Sequence, residues 1–292
     1  MATRNDNETH IPLIQHPSTA RVRTLAKHCI IVMSGKGGVG KSTISANLAV
    51  TLSYKGYAVG LLDADLTSPS IPRILGLQGN VTCEDNQLVP ISYSEKLKVL
   101  STGFLIPSSD CAIVLRGGVK MAAIRQFINE TKWGTLDFMV VDLPPGTSDE
   151  PLSIAQDLTP DGALIVTTPQ DVALISSRKS VDFARKLEVP IIGIIENMSG
   201  YTCPTCGTHV DIFKSGGGER SAGELGVLFV CRVPLDETIC ESGDSGRPIG
   251  ANGANCLHAA ENMEMIANSV LQFYAMKESA LTMTKTRQGG DK

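Results

Sequence analysis

The sequence predicts an α/β fold built on a doubly wound, mostly parallel sheet. Short apolar runs alternate along the chain with longer segments of helical periodicity, which is the order of strands and helices in such sheets. Hydrophobic residues make up 42% of the 292 residues but aromatic residues only 4%, so the core must be mainly aliphatic. A parallel sheet covered by helices on both faces has a core of this kind.

A glycine-rich stretch at residues 34–43 lies between the first predicted strand, 29–33, and the first predicted helix, 44–55. This order of strand, turn and helix is what a phosphate-binding loop requires. The backbone N–H groups of the loop would close around phosphate oxygens, Lys41 should reach the β- and γ-phosphates, and the Ser42 hydroxyl should ligate Mg²⁺. The predicted nucleotide-binding residues of the loop are Gly35, Lys36, Gly37, Gly38, Val39, Gly40, Lys41, Ser42 and Thr43.

Two acidic residues, Asp63 and Asp65, follow the second predicted strand at 58–62. Ligands of parallel sheets gather at the carboxyl ends of the strands, so both carboxylates are predicted catalytic residues. The alternative is that one of them caps the turn that follows. Residues 66–73 are rich in Ser and Pro and are predicted to form a loop outside the core.

A third acidic candidate, Asp142, ends an apolar strand in the arrangement of a Walker B segment. Asp142 would hold the Mg²⁺ shell through water, because a buried carboxylate needs a cation or hydrogen bonds to compensate its charge. The stiff Pro-Pro-Gly-Thr turn at 144–147 should lie near the γ-phosphate, where it could distinguish ATP from ADP. Upstream, residues 78–112 are predicted to be irregular apart from a short strand at 97–100, and 118–132 to be a helix.

The second half of the chain is predicted to continue the alternation of strands and helices. The predicted strands are 162–168, 190–196 and 229–234, and the predicted helices are 172–187, a short one ending at 225, and 257–276. Asn197 follows one of these strands, and its amide carries both a donor and an acceptor, so it can pair with the edge of adenine. A turn-forming role for Asn197 is an equal alternative.

The predicted domain spans residues 28–276, with a flexible or loosely docked arm at 1–27 and a mobile tail at 277–292. The arm is polar and lacks the apolar segment of a secretory signal, and no apolar run is long enough to span a bilayer. The net charge is −4 and the pI about 5.8. A chain of this charge is expected to bind neither nucleic acid nor an acidic membrane nonspecifically.

Cys203 and Cys206, two of eight cysteines, form a Cys-x-x-Cys pair. An ATP-binding chain without a secretory signal is expected in the reducing cytosol, where a disulfide framework is not expected. Two thiolates on a tight turn are soft metal ligands, but one pair cannot close a four-coordinate site. His209 or another subunit could complete a zinc site, and the same pair on a twofold-related chain could give four thiolates for zinc or a [4Fe–4S] cluster. A thioredoxin-like redox pair would need a strand–helix context that this stretch lacks.

Lys36 follows the first glycine of the loop, where an ordinary phosphate-binding loop has no fixed lysine. The run Gly-Lys-Gly-Gly-Val-Gly-Lys-Ser-Thr resembles the deviant Walker A segment of the P-loop ATPase group that includes MinD, ArsA, Mrp and the nitrogenase iron protein. In that group the extra lysine crosses a dimer interface and contacts the nucleotide of the partner. The resemblance therefore implies a homodimer in which two ATP sites face each other.

Further motifs resemble the Mrp (ApbC/Nbp-type) iron–sulfur cluster carrier ATPases over most of the predicted domain. The matching stretches are 35–43, 63–73, 141–151, 167–174, 196–200, 203–207 and 215–219. The resemblance implies a cytoplasmic homodimer that hydrolyses ATP slowly, holds a [4Fe–4S] cluster between the Cys203 and Cys206 pairs of both chains, and passes it to apoproteins. It also implies that Asp63 and Asp65 lie in switch I, that Asp65 orients the attacking water, and that Asn197 reads adenine.

Two features depart from longer members of that family. The chain has no cysteine cluster near its N-terminus, and the stretch before the loop is too short for a small accessory domain. The resemblance is therefore to the short form of the family, and a second cluster is not expected.

Three alternative functions also use such a loop. A MinD- or ParA-like positioning ATPase would need a basic patch or tail, whereas the predicted helix at 257–276 contains Glu261 and Glu264 and no Lys or Arg. A reductase like the nitrogenase iron protein would have its cluster cysteines far apart in the sequence. A zinc-stabilised dimeric nucleotide switch would use the same four thiolates for a structural metal.

Overall fold

A mostly parallel sheet with helices packed on it forms the protein, so the predicted α/β fold is confirmed. The structure is a computed structural model that describes residues 25–105, 117–249 and 257–288. Among these residues the strands are β1 (His28–Met33), β2 (Val59–Asp63), β3 (Thr82–Glu84), β4 (Gln87–Val89), β5 (Ile91–Ser92), β6 (Leu97–Ser101), β7 (Phe138–Asp142), β8 (Gly162–Thr167), β9 (Ile191–Thr202), β10 (His209–Val210) and β11 (Phe229–Leu235). The α-helices there are α1 (Lys41–Tyr54), α2 (Ile71–Ile74), α3 (Gly117–Asn129), α4 (Asp149–Leu158), α5 (Asp171–Lys186), α6 (Gly217–Leu225), α7 (Glu237–Asp244) and α8 (Leu257–Gln288).

The strand β1 lies near the middle of the main sheet, whose order is β10-β9-β8-β1-β7-β2-β6-β5, with β11 also paired to β9. The pairs β11–β9, β9–β8, β8–β1, β1–β7, β7–β2 and β2–β6 are all parallel. At the two edges, β5 pairs antiparallel with β6, and β10 pairs antiparallel with β9. Carboxyl ends of parallel strands meet at one edge of a sheet. Asp63 and Asp142, the last residues of β2 and β7, are accordingly register partners, and Asp142 is also in register with Val32 of β1.

Two aliphatic layers cover the faces of the sheet. Successive residues of β1 alternate between them, since Ile30 and Val32 pack in one layer and Ile31 and Met33 in the other. Helices α1 and α8 supply the first layer, and α3, α4 and α5 supply the second. Because both faces are buried, the central strands are continuous apolar runs without alternation of polar residues.

The segment 66–73 was predicted to lie outside the core, and this prediction is wrong in part. Leu66 and Ile71 are fully buried, and α2 begins at Ile71. The region from 78 to 105 also holds β3, β4 and β5 in addition to the expected strand near 97–100. These extra strands have only two or three residues each, too few for a hydrophobic pattern to reveal them. The helices α4 and α7 were not predicted either.

Several element ends also differ from the prediction. Helix α1 begins at Lys41 rather than at 44, and β9 continues through Asn197 to Thr202. Helix α8 continues to Gln288, so residues 277–288 of the predicted mobile tail are helical. This extension adds three basic residues to α8. The segment 257–276 contains no Lys or Arg, but the whole helix therefore does. The added basic residues are Lys277, Lys285 and Arg287.

The segment entering β1 is docked on the sheet. Ala26 is buried, and the N–H of Lys27 donates to the carbonyl of Leu136 at 3.0 Å. The rest of the predicted N-terminal arm, residues 1–24, and residues 289–292 of the predicted tail lie outside the described residues. In the part of the chain that the structure describes, no helix combines the length and apolarity needed to cross a membrane.

Candidate functional site

The predicted phosphate-binding loop joins β1 to the first turn of α1, and two of its glycines are required by their surroundings. Gly40 precedes α1 with φ 84°, in the left-handed region that favours glycine. A Cβ on Gly35 would lie 2.1 Å from the carbonyl oxygen of Ser176 in α5. The loop therefore packs tightly against α5, and any side chain at Gly35 would displace it.

Lys41 and Asp142 form a buried ion pair at the start of α1. The Nζ of Lys41 lies 2.8 Å from Oδ1 of Asp142, and both side chains are almost fully buried. Two hydroxyls of α1 complete the contacts of this carboxylate: Ser45 Oγ donates to Oδ1 at 2.7 Å and Ser42 Oγ to Oδ2 at 2.5 Å. The predicted Walker B carboxylate is thus held against the first turn of α1 by one cation and two hydroxyls.

The donors at this end of α1 fit an anionic ligand. The ion-pair contact of Lys41 lacks hydrogen-bond geometry, so its buried Nζ has no hydrogen bond within the described residues. The N-terminus of α1 also has no side-chain cap, which leaves its N–H groups and positive dipole available to phosphate oxygens. Ser42 and Asp142 present the hard oxygen ligands that suit Mg²⁺, which when bound would neutralise charge on the phosphates.

Asp63 is buried beside this network. Its Oδ2 accepts from Ser101 Oγ at 2.8 Å, and its Oδ1 accepts from the N–H of Asp65 at 3.2 Å. Burial raises the pKa of Asp63 to about 8, and the charge of Asp142 adds to the shift. Asp65 is half-buried and its Oδ1 accepts from the N–H groups of Thr67 and Ser68, so Asp65 does cap the turn that follows β2. Its role in orienting water stays a prediction.

The pH dependence of folding should report on Asp63. Above its ordinary pKa of 3.8 the unfolded chain releases this proton, whereas the folded chain keeps it up to about 8. The unfolded state then binds fewer protons, so the free energy of unfolding falls as pH rises through this window. The variant Asp63→Asn is expected to reduce that fall. Urea denaturation of both proteins at pH about 5 and about 8, without nucleotide or Mg²⁺, measures the fall in the free energy of unfolding. An equal fall in the wild type and in Asp63→Asn would contradict a raised pKa of Asp63.

Asn197 packs against the phosphate-binding loop. Its Nδ2 donates to the carbonyl of Val39 at 2.8 Å, and a Cβ on Gly40 would lie 2.1 Å from the same nitrogen. The structure therefore brings Asn197 from β9 to the loop, 158 residues away in sequence. Its pairing with adenine stays a prediction.

Cys203 and Cys206 lie on the turn between β9 and β10. The N–H of Cys203 donates to the carbonyl of Thr208 and the N–H of Gly207 to the carbonyl of Cys203, both at 2.9 Å. Cys206 is exposed and Cys203 is partly exposed. Hydrogen bonding with the hydroxyl and backbone of Thr208, and with Cys203, lowers the pKa of the Cys206 thiol. The turn thus presents two thiols at the end of a strand, and the lowered pKa favours the thiolate form of Cys206.

The described residues do not complete a metal site around this pair. Within them no three His, Cys, Asp or Glu side chains are grouped to hold a metal ion. The ring nitrogens of His209 contact Thr202 Oγ1 and Asp211 Oδ1, at 3.2 and 3.1 Å, rather than a cysteine. Within the described residues His209 is therefore not grouped with the two cysteines, and its role as a zinc ligand stays a prediction.

The structure separates the predicted residues into two groups. The loop, Asp63, Asp142 and Asn197 form one cluster at the carboxyl edge of the sheet, and the cysteine pair lies farther along β9. Lys36 is half-buried and forms no ion pair with a described residue. Two hydroxyls that no sequence motif indicated also contact this cluster: Ser45 donates to Asp142 and Ser101 donates to Asp63. Ser45, four residues after Lys41, could have been found from helical spacing.

Comparisons with known proteins agree on one family. The family model described as the NUBPL iron-transfer P-loop NTPase matches residues 25–271. An iron–sulfur cluster carrier protein of Methanococcus maripaludis is 44% identical over 248 residues, covering 84% of this chain and 85% of the relative. The cytosolic Fe-S cluster assembly factor CFD1 of Kluyveromyces lactis is 47% identical over 223 residues, covering 74% and 79%. A solved nucleotide-binding protein from Archaeoglobus fulgidus, in complex with ADP, is 38% identical with a TM-score of 0.67, covering 76% and 88%.

Proposed function

The chain belongs to the NUBPL iron-transfer P-loop NTPase family, and from this premise we propose that it is a cytoplasmic, ATP-dependent carrier that holds an iron–sulfur cluster and passes it to apoproteins. The observation that carries the proposal is the Cys203–Cys206 pair at the surface, which has two sulfur ligands and no third ligand within the described residues. Four thiolates are the usual ligand set of a [4Fe–4S] cluster. A second copy of the chain supplies the missing two.

The cluster is the cargo of this proposed carrier, bound between the cysteine pairs of two subunits in a homodimer. A twofold axis near the turn brings two identical pairs together without additional chain. Because Cys206 is exposed and its thiol pKa is lowered, the pair is accessible to an acceptor protein and binds metal as thiolate. Such a site can release its cargo, unlike a buried structural site.

ATP hydrolysis is proposed at the loop, where each residue has a separate role. Lys41 holds the β- and γ-phosphates, and Lys36 reaches the nucleotide of the partner subunit. Asp65 orients the attacking water, while Asp142 and Ser42 hold the Mg²⁺ shell. Hydrolysis is slow because its purpose is to reset the carrier, and the γ-phosphate supplies the differential contact that switching requires.

Anaerobic reconstitution with iron and sulfide tests the proposal. The wild type is expected to bind about four irons and four sulfides per dimer. The variant Cys203→Ala/Cys206→Ala should lose all of them, because among the described residues no further metal-ligating side chain is grouped with this pair. The matched control is Cys83→Ala/Cys240→Ala, which removes two other exposed cysteines and should leave the loading unchanged.

Two results of this assay would reject the carrier. One is stoichiometric zinc without sulfide, which would indicate a nucleotide switch with a structural metal. The other is a cluster that survives removal of Cys203 and Cys206. A positive result leads to transfer of the loaded cluster to an apoprotein, measured with and without ATP.

A further inference from the structure

Strand β9 contacts the nucleotide loop and ends at the cysteine pair. Asn197, in its middle, donates to Val39 of the loop, and Cys203 follows the last residue of the strand. Six residues of fully extended chain span at most roughly 20 Å. A single strand therefore links the two groups of functional residues.

A bulge interrupts β9 between these two points. Asn197 is in register with Val233 of β11, but the next paired residue on β9 is Tyr201, opposite Leu235. Three residues of β9 thus lie opposite one residue of β11. Within the bulge Met198 has φ 57°, a left-handed conformation that costs energy for a side chain of this size.

The bulge also turns two successive side chains toward the loop. Neighbouring residues of a regular strand point to opposite faces of the sheet. Here a Cβ on Gly40 would lie 2.1 Å from Nδ2 of Asn197 and 4.0 Å from Cε of Met198. Movement of the loop around a phosphate would therefore act on both residues at the start of the bulge.

Glu196 fixes the bulge from the other side. Its carboxylate is fully buried, and Oε1 accepts from Ser199 Oγ of the bulge at 2.5 Å and from the N–H of Gly216 at 2.8 Å. Oε2 accepts from the N–H of Gly218 in the first turn of α6, and Arg232 Nε lies 3.9 Å from Oε1. One buried carboxylate thus ties the bulge to α6 through both of its oxygens.

We propose that Glu196 is a positioning residue that couples the nucleotide loop to the cysteine pair. It holds the Met198–Gly200 bulge so that displacement of the loop at Asn197 is passed along β9 to Cys203 instead of being absorbed locally. The inference deepens the proposed function, on which it rests for the two sites it connects. Because the coupling is tested in cluster-free protein, the result does not depend on whether the chain binds a cluster.

The test is the alkylation rate of the Cys203–Cys206 peptide in reduced, cluster-free protein, with and without a non-hydrolysable ATP analogue and Mg²⁺. The wild-type rate is expected to change about fivefold or more on nucleotide binding, the low end of usual coupling between sites. In Glu196→Gln the change should fall below about twofold while nucleotide affinity stays within about threefold. The amide has only one accepting oxygen, so it cannot accept from Ser199 and Gly216 on one side and from Gly218 on the other, and the link between the bulge and α6 is lost at one of its two ends.

If Glu196 only stabilised the fold, Glu196→Gln would keep the wild-type ratio of the alkylation rates with and without nucleotide. Glu219→Gln, which removes an exposed carboxylate bound to the same Arg232, is the matched control and should keep the full response. Alkylation of exposed Cys83 and Cys240 serves as the internal reference. Where Glu196→Gln does not fold or bind nucleotide, Ser199→Ala decides, because it removes the hydrogen bond between the bulge and Glu196, together with a hydroxyl contact to Ser215, and leaves the carboxylate bonded to α6. A full response in the deciding variant, or no response in the wild type, overturns the proposal.

Discussion

Lys36→Ala is expected to lower ATP turnover about a hundredfold or more, because cations that reach a transferring phosphoryl group from a partner contribute effects of this size or larger. Lys36 is half-buried and forms no ion pair with a described residue, so the free energy of unfolding should stay unchanged. Steady-state hydrolysis and urea denaturation of the same preparations measure the two quantities. Unchanged turnover would contradict a site shared between subunits.

Mixing two inactive variants shows whether Lys36 acts across the interface. In a mixed dimer of Lys36→Ala and Lys41→Ala chains, one site combines an intact Lys41 with an intact Lys36 from the partner. Random pairing of equal amounts gives about half mixed dimers with one working site each, so about a quarter of wild-type turnover should return. A Lys36 that acts within its own subunit would restore nothing.

The nucleotide cluster was largely predictable because its signals are local. Strand, glycine-rich turn and helix follow one another around Lys41, and the apolar runs that end in Asp63 and Asp142 place both carboxylates at one edge of the sheet. In the structure Asp63 and Asp142 are register partners on neighbouring strands. The resemblance to iron–sulfur cluster carriers is also confirmed, since carriers of this kind match most of the chain.

Contacts between distant segments were not predictable in the same way. In the sequence, Glu196 is the last residue of a predicted apolar strand, and nothing there indicates its partners. Only the fold brings the N–H groups of Gly216 and Gly218 to its carboxylate. The burial of Leu66 and Ile71 within a polar stretch has the same origin, because the fold places Leu66 in one aliphatic layer and Ile71 of α2 in the other. Periodicity reports which face of an element is buried but not which distant backbone groups it meets.

Asp142→Ala is expected to cost about 3–5 kcal/mol of folding stability, because it leaves the buried ammonium of Lys41 without a counter-charge. Thermal unfolding without nucleotide or Mg²⁺ should move down by about 10 °C for a chain of this size. The control is Asp85→Asn, which breaks an exposed ion pair with Lys132, keeps a residue that tolerates the φ of 50° at this position, and should have no measurable effect. Similar shifts in the two variants would show that the Lys41 pair is not a buried charge pair in solution.

The double variant Lys41→Met/Asp142→Ala separates the ion pair from simple loss of packing. Removing both charges leaves no unpaired ion, so the double variant should be less destabilised than the sum of the single variants. The charge of Asp142 also raises the pKa of Asp63, so Asp142→Ala should weaken the loss of stability between pH about 4 and about 8. Additive stability losses together with an unchanged pH slope would mean that Lys41, Asp142 and Asp63 do not form one electrostatic unit.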